Sequence, residues 1–207
     1  RYYAPLGKVA YPTRDASPIT VRQLLNHGSG LPEDNAWLDA AKDRSPEDLR
    51  QLVESGMSFS RAPNTLFEYS NTGYGILGQI IASVAKMPAR DYIRKEILSP
   101  LQMQHSYFER EEVPAGKLVV GYRSKDWFFG KDTTWNAAPI ERLGVMDSAG
   151  GIYTTIRDLS RYVAFHLSAW PPRSAPELGP VRRSTAREMQ LGDRTGTFAD
   201  MPPSLLP

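Results

Sequence analysis

The sequence contains no cysteine among its 207 residues, and this absence excludes several kinds of site at once. Without that residue there can be no disulfide, no cysteine-ligated zinc ion and no cysteine nucleophile. The sequence also lacks an uninterrupted run of about 18 apolar residues, the length that a membrane-spanning helix needs. We therefore expect no transmembrane segment.

Runs of one charge sign are missing as well. The 25 lysines and arginines nearly balance the 23 aspartates and glutamates, giving a net charge of +2, and the two signs are mixed along the chain. A nucleic-acid-binding protein usually carries a basic stripe, so no nucleic-acid partner is expected. The content of 41% hydrophobic and 23% charged residues is ordinary for a globular protein of roughly one domain.

Two common catalytic motifs are also absent from the sequence. It contains no G-x-S-x-G and no H-E-x-x-H. The three histidines, His27, His105 and His166, are far apart and lack the spacing of metal ligands. We therefore expect no metal and no organic cofactor, and we interpret His27 and His166 as hydrogen-bonded structural residues on apolar helix faces.

Residue pairs typical of helix N-caps occur at three points along the chain. Thr20 with Gln23, Ser45 with Asp48 and Thr155 with Asp158 each have the spacing of a capping box. They predict short helices after residues 20 and 45 and a longer one from 156, with an apolar face made by Ile156, Leu159, Tyr162, Val163, His166 and Leu167. Further helices are predicted over residues 73–86, from Pro88 to about Leu98, and over 184–190.

The remaining segments are less regular. Strand-like pieces are predicted at residues 107–108, 118–122 and 127–129, and Gly150-Gly151 is interpreted as a tight turn. After Trp170 the composition changes, since residues 171–207 hold seven of the 17 prolines. We therefore divide the chain into a helical region, residues 1–170, and an irregular proline-rich tail, residues 171–207, of the same domain.

The segment FEYSNTGYGILGQII, residues 67–81, is the most informative one. It places a Tyr-x-Asn triplet, Tyr69-Ser70-Asn71, directly before a helix whose internal glycines, Gly75 and Gly78, suggest close packing against another element. Three other blocks accompany it: ITVRQLLNHGSGLP (19–32), EILSPLQM (96–103) and SAGGIYTTIRDLSRY (148–162).

These four blocks, in this order, resemble the serine β-lactamase-like family, which groups class C β-lactamases, D-alanyl-D-alanine carboxypeptidases, D-aminopeptidases and related esterases. The resemblance implies the helical portion of a penicillin-binding-protein/β-lactamase-like α/β fold, so that the chain is expected to be mainly α with short β strands. It also implies a serine hydrolase that acts through an acyl-enzyme on an amide, a β-lactam or an ester, without a cofactor.

On the family's pattern, Tyr69 is the catalytic proton relay and Asn71 is the substrate-binding amide. A Ser-x-x-Lys motif supplies the nucleophile, and a third motif, a basic residue or His followed by Thr, Ser or Gly and then Gly, lines the site. The expected partner is a β-lactam, a D-amino-acid peptide or an ester, and the expected location is the periplasm or outside the cell.

The sequence departs from the family in its first and third motifs. Its one Ser-x-x-Lys, Ser83 to Lys86, lies late in the helix after Tyr-x-Asn, with Val84 and Ala85 expected to face inward, and we interpret it as a coincidence. The match Arg194-Thr195-Gly196 has the right residue types but little room for the strand that should precede it. We therefore interpret the chain as the middle part of a longer enzyme, and we expect the chain alone to be inactive.

Several alternatives stay open at this point. The chain could be a non-catalytic pseudoenzyme or binding fragment of the same fold, since it holds no convincing nucleophile. Ser29, in the block His27-Gly28-Ser29-Gly30, is interpreted as part of a structural turn. The aromatic residues Trp127, Phe128, Phe129 and Trp135 are interpreted as packing residues, with a substrate wall as the alternative.

Overall fold

The computed structural model describes residues 2–32, 43–124, 134–138 and 142–191, and the statements below concern these residues. The α-helices in chain order are α1 (Val21–Leu25), α2 (Pro46–Glu54), α3 (Asn71–Ala85), α4 (Ala89–Ile93), α5 (Ile156–Leu167) and α6 (Arg183–Gln190). A π-helical turn, Arg94–Leu98, continues α4, and 3-10 turns lie at Ala4–Lys8, Arg110–Glu112 and Gly144–Met146. Strands β1 (Tyr122–Ser124) and β2 (Trp135–Ala137) pair antiparallel, with Tyr122 opposite Ala137.

The ends of α1 and α2 confirm the predicted capping boxes. The Thr20 hydroxyl accepts from the Gln23 amide, while the Gln23 side chain accepts from the Thr20 amide at 2.9 Å. Ser45 and Asp48 exchange the same two bonds at the start of α2, where Pro46 occupies the first helical turn. Each box satisfies two amide groups that the helix itself leaves unpaired, which is why such local signals predict helix starts well.

Helix α3 is the centre of the hydrophobic core. Its Ile76 and Leu77 pack with residues from α1, from α2 and from the turn Gly144–Met146. The buried cluster consists of Val9, Leu24, Leu31, Leu49, Val53, Ile76, Leu77, Val145 and Met146. The helix begins at Asn71, two residues before the predicted start, because Ser70 is its N-cap.

The close packing expected at Gly75 and Gly78 is present. A Cβ added at Gly75 would lie 2.8 Å from the sulfur of Met146, and one added at Gly78 would lie 2.4 Å from Ser148 Oγ. Ser148 Oγ in turn donates to the carbonyl of Tyr74 at 2.8 Å. The two glycines therefore let the segment that follows the Gly144–Met146 turn lie directly against the backbone of α3.

The strand predictions are only partly correct. Residues 118–121 are not a strand, and β1 begins at Tyr122. Tyr107 forms a single bridge with Tyr153, with amide-to-carbonyl distances of 2.8 Å in both directions. The predicted piece at 127–129 lies outside the described residues. Within the described residues the fold is thus largely helical with short strands.

Asp158 ties α5 to the chain before it. The Thr155 hydroxyl accepts from the Asp158 amide, but the predicted reciprocal bond is replaced, because the Asp158 carboxylate accepts from the His105 amide at 2.7 Å and from Ser106 Oγ at 3.0 Å. Arg161 completes the set with a 2.6 Å ion pair to the same fully buried carboxylate. Asp158 therefore connects the start of α5 to His105 and Ser106, which are distant in sequence, in addition to its contact with the cap residue.

The apolar face predicted on α5 lies on the surface of this chain. Ile156 is 84% exposed and Leu167 is 69% exposed, with Leu159 and Val163 also exposed. Val84 on α3, expected to face inward, is 63% exposed, so that part of the prediction is wrong. Burial of an apolar stripe requires a packing partner, which a periodic sequence pattern does not itself supply. Among the described residues, no helix is both long and apolar enough to cross a membrane.

Candidate active site

The Tyr-x-Asn triplet lies at the N-terminus of α3, and its middle residue anchors it there. Ser70 Oγ accepts a hydrogen bond from the Gly73 amide at 3.2 Å, which makes Ser70 the N-cap of the helix. Tyr69 therefore precedes the helix, and Asn71 occupies its first turn. The cap fixes the two outer residues of the triplet relative to a rigid helix.

The structure brings the two predicted site residues into direct contact. The Tyr69 hydroxyl donates to Asn71 Oδ1 at 3.0 Å. Tyr69 is 39% exposed, whereas Asn71 is 8% exposed. The arrangement presents a phenol at the surface with a buried amide beside it, a pair that can accept or return a proton and hold a polar substrate group.

The His27-to-Pro32 block packs against the segment that leads into this pair. The Gly28 carbonyl accepts from the Asn64 amide at 2.8 Å, and the Gly30 carbonyl accepts from the Ser60 amide at 3.0 Å. Ser29 is fully buried, and its Oγ accepts from the Leu31 amide at 3.4 Å. The interpretation of this block as a structural turn agrees with these contacts, because a buried serine hydroxyl within a turn cannot meet a substrate.

His27 lies closer to the site than the sequence indicated. It follows the end of α1 in a left-handed conformation with φ of 56°, so its prediction on a helix face is wrong. Its Nδ1 accepts from the Ser70 amide at 3.1 Å, and its ring centroid lies 4.6 Å from that of Tyr69. Sequence reasoning missed this contact because it joins residues 43 positions apart. The available signal was the presence of the His27-to-Pro32 block and the Tyr-x-Asn block in one family pattern.

A second phenol, that of Tyr74, also packs against His27, with a centroid distance of 5.1 Å. Its hydroxyl donates to the carbonyl of Leu25 at 2.9 Å. Burial, together with the neighbouring Tyr69, raises the pKa of Tyr74 above its ordinary value of 10.0. Tyr74 is therefore held as a neutral hydrogen-bond donor.

The Ser83 to Lys86 match does not reach this site. Ser83 stands 12 residues after Asn71 in the same helix, which places it roughly 18 Å further along the axis at 1.5 Å per residue. Both Ser83 and Lys86 are exposed, and Lys86 has already left the helix with φ of 58°. Ser83 therefore cannot exchange a proton with Tyr69.

The other expected features of the site lie elsewhere or outside the described residues. Arg194-Thr195-Gly196 and the aromatic residues 127–129 are not among the described residues, and Trp135 is 69% exposed in β2. No group of three or more histidines, aspartates and glutamates in the described part of the chain could hold a metal ion.

Asp147 lines a separate cleft of about 120 Å³ together with Glu109 and Arg142, and burial raises its pKa above the ordinary 3.8.

The chain is similar in sequence and in structure to several known proteins. The family model described as Beta-lactamase matches residues 1–202. Protein flp from Staphylococcus aureus (strain MW2) is 32% identical over 156 residues, which are 74% of this chain and 30% of flp. The octameric penicillin-binding protein homologue from Pyrococcus abyssi matches with a TM-score of 0.69 and 25% identity, over 91% of this chain and 42% of that one. A class C beta lactamase matches with a TM-score of 0.58 and 28% identity, over 81% and 46% of the two chains.

These matches cover most of this chain but less than half of each relative. The chain spans about a third of the curated relative and less than half of each solved chain. The family match nevertheless extends over almost all of its residues. With this match, and with the Tyr-x-Asn triplet at the start of a core helix beside the His27-to-Pro32 block, the chain belongs to the β-lactamase family.

Proposed function

We propose that this chain is part of a serine hydrolase that forms an acyl-enzyme on an amide, a β-lactam or an ester. The observation that carries the proposal is the 3.0 Å contact between Tyr69 and Asn71 at the capped start of α3. In this proposal Tyr69 is the catalytic proton relay and Asn71 is the substrate-binding amide. No metal or organic cofactor takes part.

The proposed reaction needs a nucleophile from a Ser-x-x-Lys motif other than Ser83 to Lys86, and we propose that a longer chain supplies it. The serine hydroxyl gives its proton to the ionised Tyr69 as its oxygen bonds to the substrate carbonyl carbon. Tyr69 then returns the proton to the departing nitrogen or oxygen, which leaves an acyl-enzyme. Water hydrolyses that ester in a second round with the same proton relay.

The contribution of Asn71 follows from its burial. A side chain that is only 8% exposed and lies in the first turn of a core helix has little freedom to move. Its amide can hold the substrate's carbonyl group in one orientation relative to the nucleophile, and such positioning lowers the barrier of a bond-forming step. The phenol relay further needs nearby positive charge, since an opposite charge favours the ionised form of a tyrosine. The lysines of the first and third motifs are the proposed source.

The proposal extends to substrate, location and domain organisation. The proposed substrates are β-lactams, D-amino-acid peptides or esters, and the proposed location is the periplasm or outside the cell, where the first two are met. Residues 1–170 and 171–207 are proposed to belong to one domain. This is supported by the bond from Trp170 Nε1 to Gln190 at 2.9 Å and by the ion pair of Arg22 with Glu188 at 2.7 Å, both of which join the tail to the helical region.

A non-catalytic binding fragment of the same fold is the competing function, favoured by the absence of a usable Ser-x-x-Lys in this chain. Covalent labelling distinguishes the two. A fluorescent penicillin and a fluorophosphonate should label the longer protein on its Ser-x-x-Lys serine, and should leave the 207-residue chain unlabelled. Absence of label on the longer protein would favour the binding fragment. Label on the short chain that disappears in a Ser83→Ala variant would show that the assignment of the nucleophile is wrong.

A further inference from the structure

His27 is held in a backbone conformation that is uncommon for residues other than glycine. Its φ of 56° lies in the left-handed region, which non-glycine residues seldom adopt. Such a conformation persists only where the surrounding contacts determine it, and it is often associated with function. The contacts of His27 therefore need an explanation.

Those contacts hold both neighbours of Tyr69. The His27 carbonyl accepts from the Glu68 amide at 2.8 Å, and His27 Nδ1 accepts from the Ser70 amide at 3.1 Å. The imidazole ring also lies beside the Tyr69 ring, with centroids 4.6 Å apart and planes inclined by 34°. One residue thus binds the backbone immediately before and immediately after the proposed proton relay.

The bond to Ser70 depends on the protonation state of the imidazole. A backbone N–H can only donate, so Nδ1 must present its lone pair, which requires a neutral ring with its proton on Nε2. Protonation of Nδ1 would place two N–H groups against each other and break the bond. An imidazole with an ordinary pKa of about 6.5 makes this change in the mildly acidic range.

We propose that His27 is a positioning residue that holds Tyr69 and the N-cap of α3 in place through its neutral Nδ1, and that its protonation releases this hold. The catalytic consequence rests on the function proposed above, whereas the hydrogen bond and its pH dependence do not. A histidine that was only exposed to solvent, or that only packed in the core, would not need the hydrogen bond from the Ser70 amide to Nδ1.

Other titratable groups around the ring do not change charge in the same range. The rings that pack on it from the loop and from α3 are those of Tyr69 and Tyr74, and phenols ordinarily ionise near pH 10, far above this range. Two ion pairs lie on the neighbouring elements, Arg61 with Glu68 at 2.8 Å and Arg22 with Glu188 at 2.7 Å, and neither carboxyl nor guanidinium groups ordinarily change charge near pH 6.5. A loss of Ser70 amide protection in the mildly acidic range would therefore report on His27.

The direct test is an NMR experiment on the ¹⁵N-labelled 207-residue chain. A scalar coupling across the hydrogen bond should connect the Ser70 amide nitrogen to His27 Nδ1 at neutral pH, and it should vanish as the imidazole is protonated. Absence of this coupling at neutral pH would overturn the proposal.

Two variants separate positioning from general stability. In His27→Asn, Oδ1 stands one bond from Cγ, where Nδ1 stands in histidine, and asparagine tolerates the left-handed conformation. His27→Ala removes the acceptor. After correction for intrinsic exchange rates, the Ser70 amide should exchange about tenfold faster in His27→Ala than in His27→Asn, while the Leu24 amide in the core exchanges equally in both. Equal Ser70 exchange in the two variants would contradict the proposal.

The pH profile completes the test. The Ser70 amide of the natural chain should lose its protection as the pH falls through the imidazole titration, whereas His27→Asn should keep it. In the longer protein, kcat should show the same acidic limb with KM unchanged, and His27→Asn should remove that limb. If Ser70 behaves as expected but no turnover depends on Tyr69, the positioning proposal stands and the proposed function fails. If Ser70 protection shows no imidazole titration, the positioning proposal fails.

Discussion

Replacing Gly30 with alanine tests how the His27-to-Pro32 block is joined to the segment before Tyr69. Gly30 has φ of 72°, and a Cβ added there would lie 2.3 Å from the carbonyl oxygen of Arg61 and 3.1 Å from its carbonyl carbon. The Gly30 carbonyl also accepts from the amides of Ser60 and Arg61. Because the obstructing atoms belong to the backbone, they cannot rotate away as a side chain can.

The magnitude follows from three contributions. The left-handed conformation costs alanine about 1–2 kcal/mol, and forcing apart two packed segments costs a further 1–3 kcal/mol or so. The smaller conformational entropy of alanine in the unfolded chain offsets about 0.4–1 kcal/mol. We therefore expect Gly30→Ala to lower the free energy of unfolding by about 2–4 kcal/mol.

Two other glycines separate these contributions. Gly116 has φ of 74° but nothing within 4 Å of an added Cβ, and Gly7 has free space without a positive φ. In urea unfolding with unchanged m-values, Gly7→Ala should be close to neutral, and Gly116→Ala should show the conformational cost alone. Gly30→Ala should show the largest loss. If Gly30→Ala were no worse than Gly116→Ala, the close contact between Gly30 and the Arg61 backbone would be refuted.

Further predictions concern acidic residues with contrasting environments. Asp158→Ala should lower the free energy of unfolding by about 3 kcal/mol, because it leaves the buried partners of the carboxylate unpaired. The control Asp91→Ala removes a half-exposed carboxylate that forms a 3.6 Å ion pair with Arg94, and it should cost less than about 1 kcal/mol in the same chemical denaturation. The hydrogen bond from Arg50 lowers the pKa of Glu47 from 4.5 to about 2, so stability present above pH 4.5 is lost as the pH falls toward 2. Glu47→Gln should reduce that loss in pH-dependent unfolding. Asp147 has the opposite sign, since burial raises its pKa, and Asp147→Asn should stabilise the chain at pH 7 but not below pH 3.8. Equal effects at both pH values would contradict this.

Local capping signals in the sequence predict the starts of α1 and α2 correctly. The boxes at Thr20 and Ser45 involve residues three positions apart, so the sequence contains both partners. Helix α3 begins two residues before the start that the apolar spacing predicts, because Ser70, the middle residue of the Tyr-x-Asn triplet, is its N-cap. The same residue serves both purposes, since capping is what places Tyr69 and Asn71 on either side of the helix start.

Features that depend on distant residues could not be predicted in the same way. The bond from Ser70 to His27 and the ties from Asp158 to His105 and Ser106 join residues 43 to 53 positions apart. Periodicity identified the apolar stripe on α5 but could not show what covers it, and Ile156 is 84% exposed in this chain. The proposed roles of Tyr69 and Asn71 rest on the resemblance to a family, because a Tyr-x-Asn triplet alone has no defined chemistry.

The central claim is that Tyr69 relays a proton for a serine nucleophile that the 207-residue chain does not supply. Its most direct test is the hydrolysis of nitrocefin and an ester by the longer protein and by the short chain, each with and without Tyr69→Phe. Tyr11→Phe is the matched control, since the Tyr11 hydroxyl only accepts from the Ile19 amide at 3.0 Å. The account predicts a fall in kcat/KM of about 10²–10⁴-fold for Tyr69→Phe in the longer protein, with an unchanged Tm, and no turnover by the short chain. Tyr69-dependent turnover by the short chain, or full activity of Tyr69→Phe in the longer protein, would contradict it.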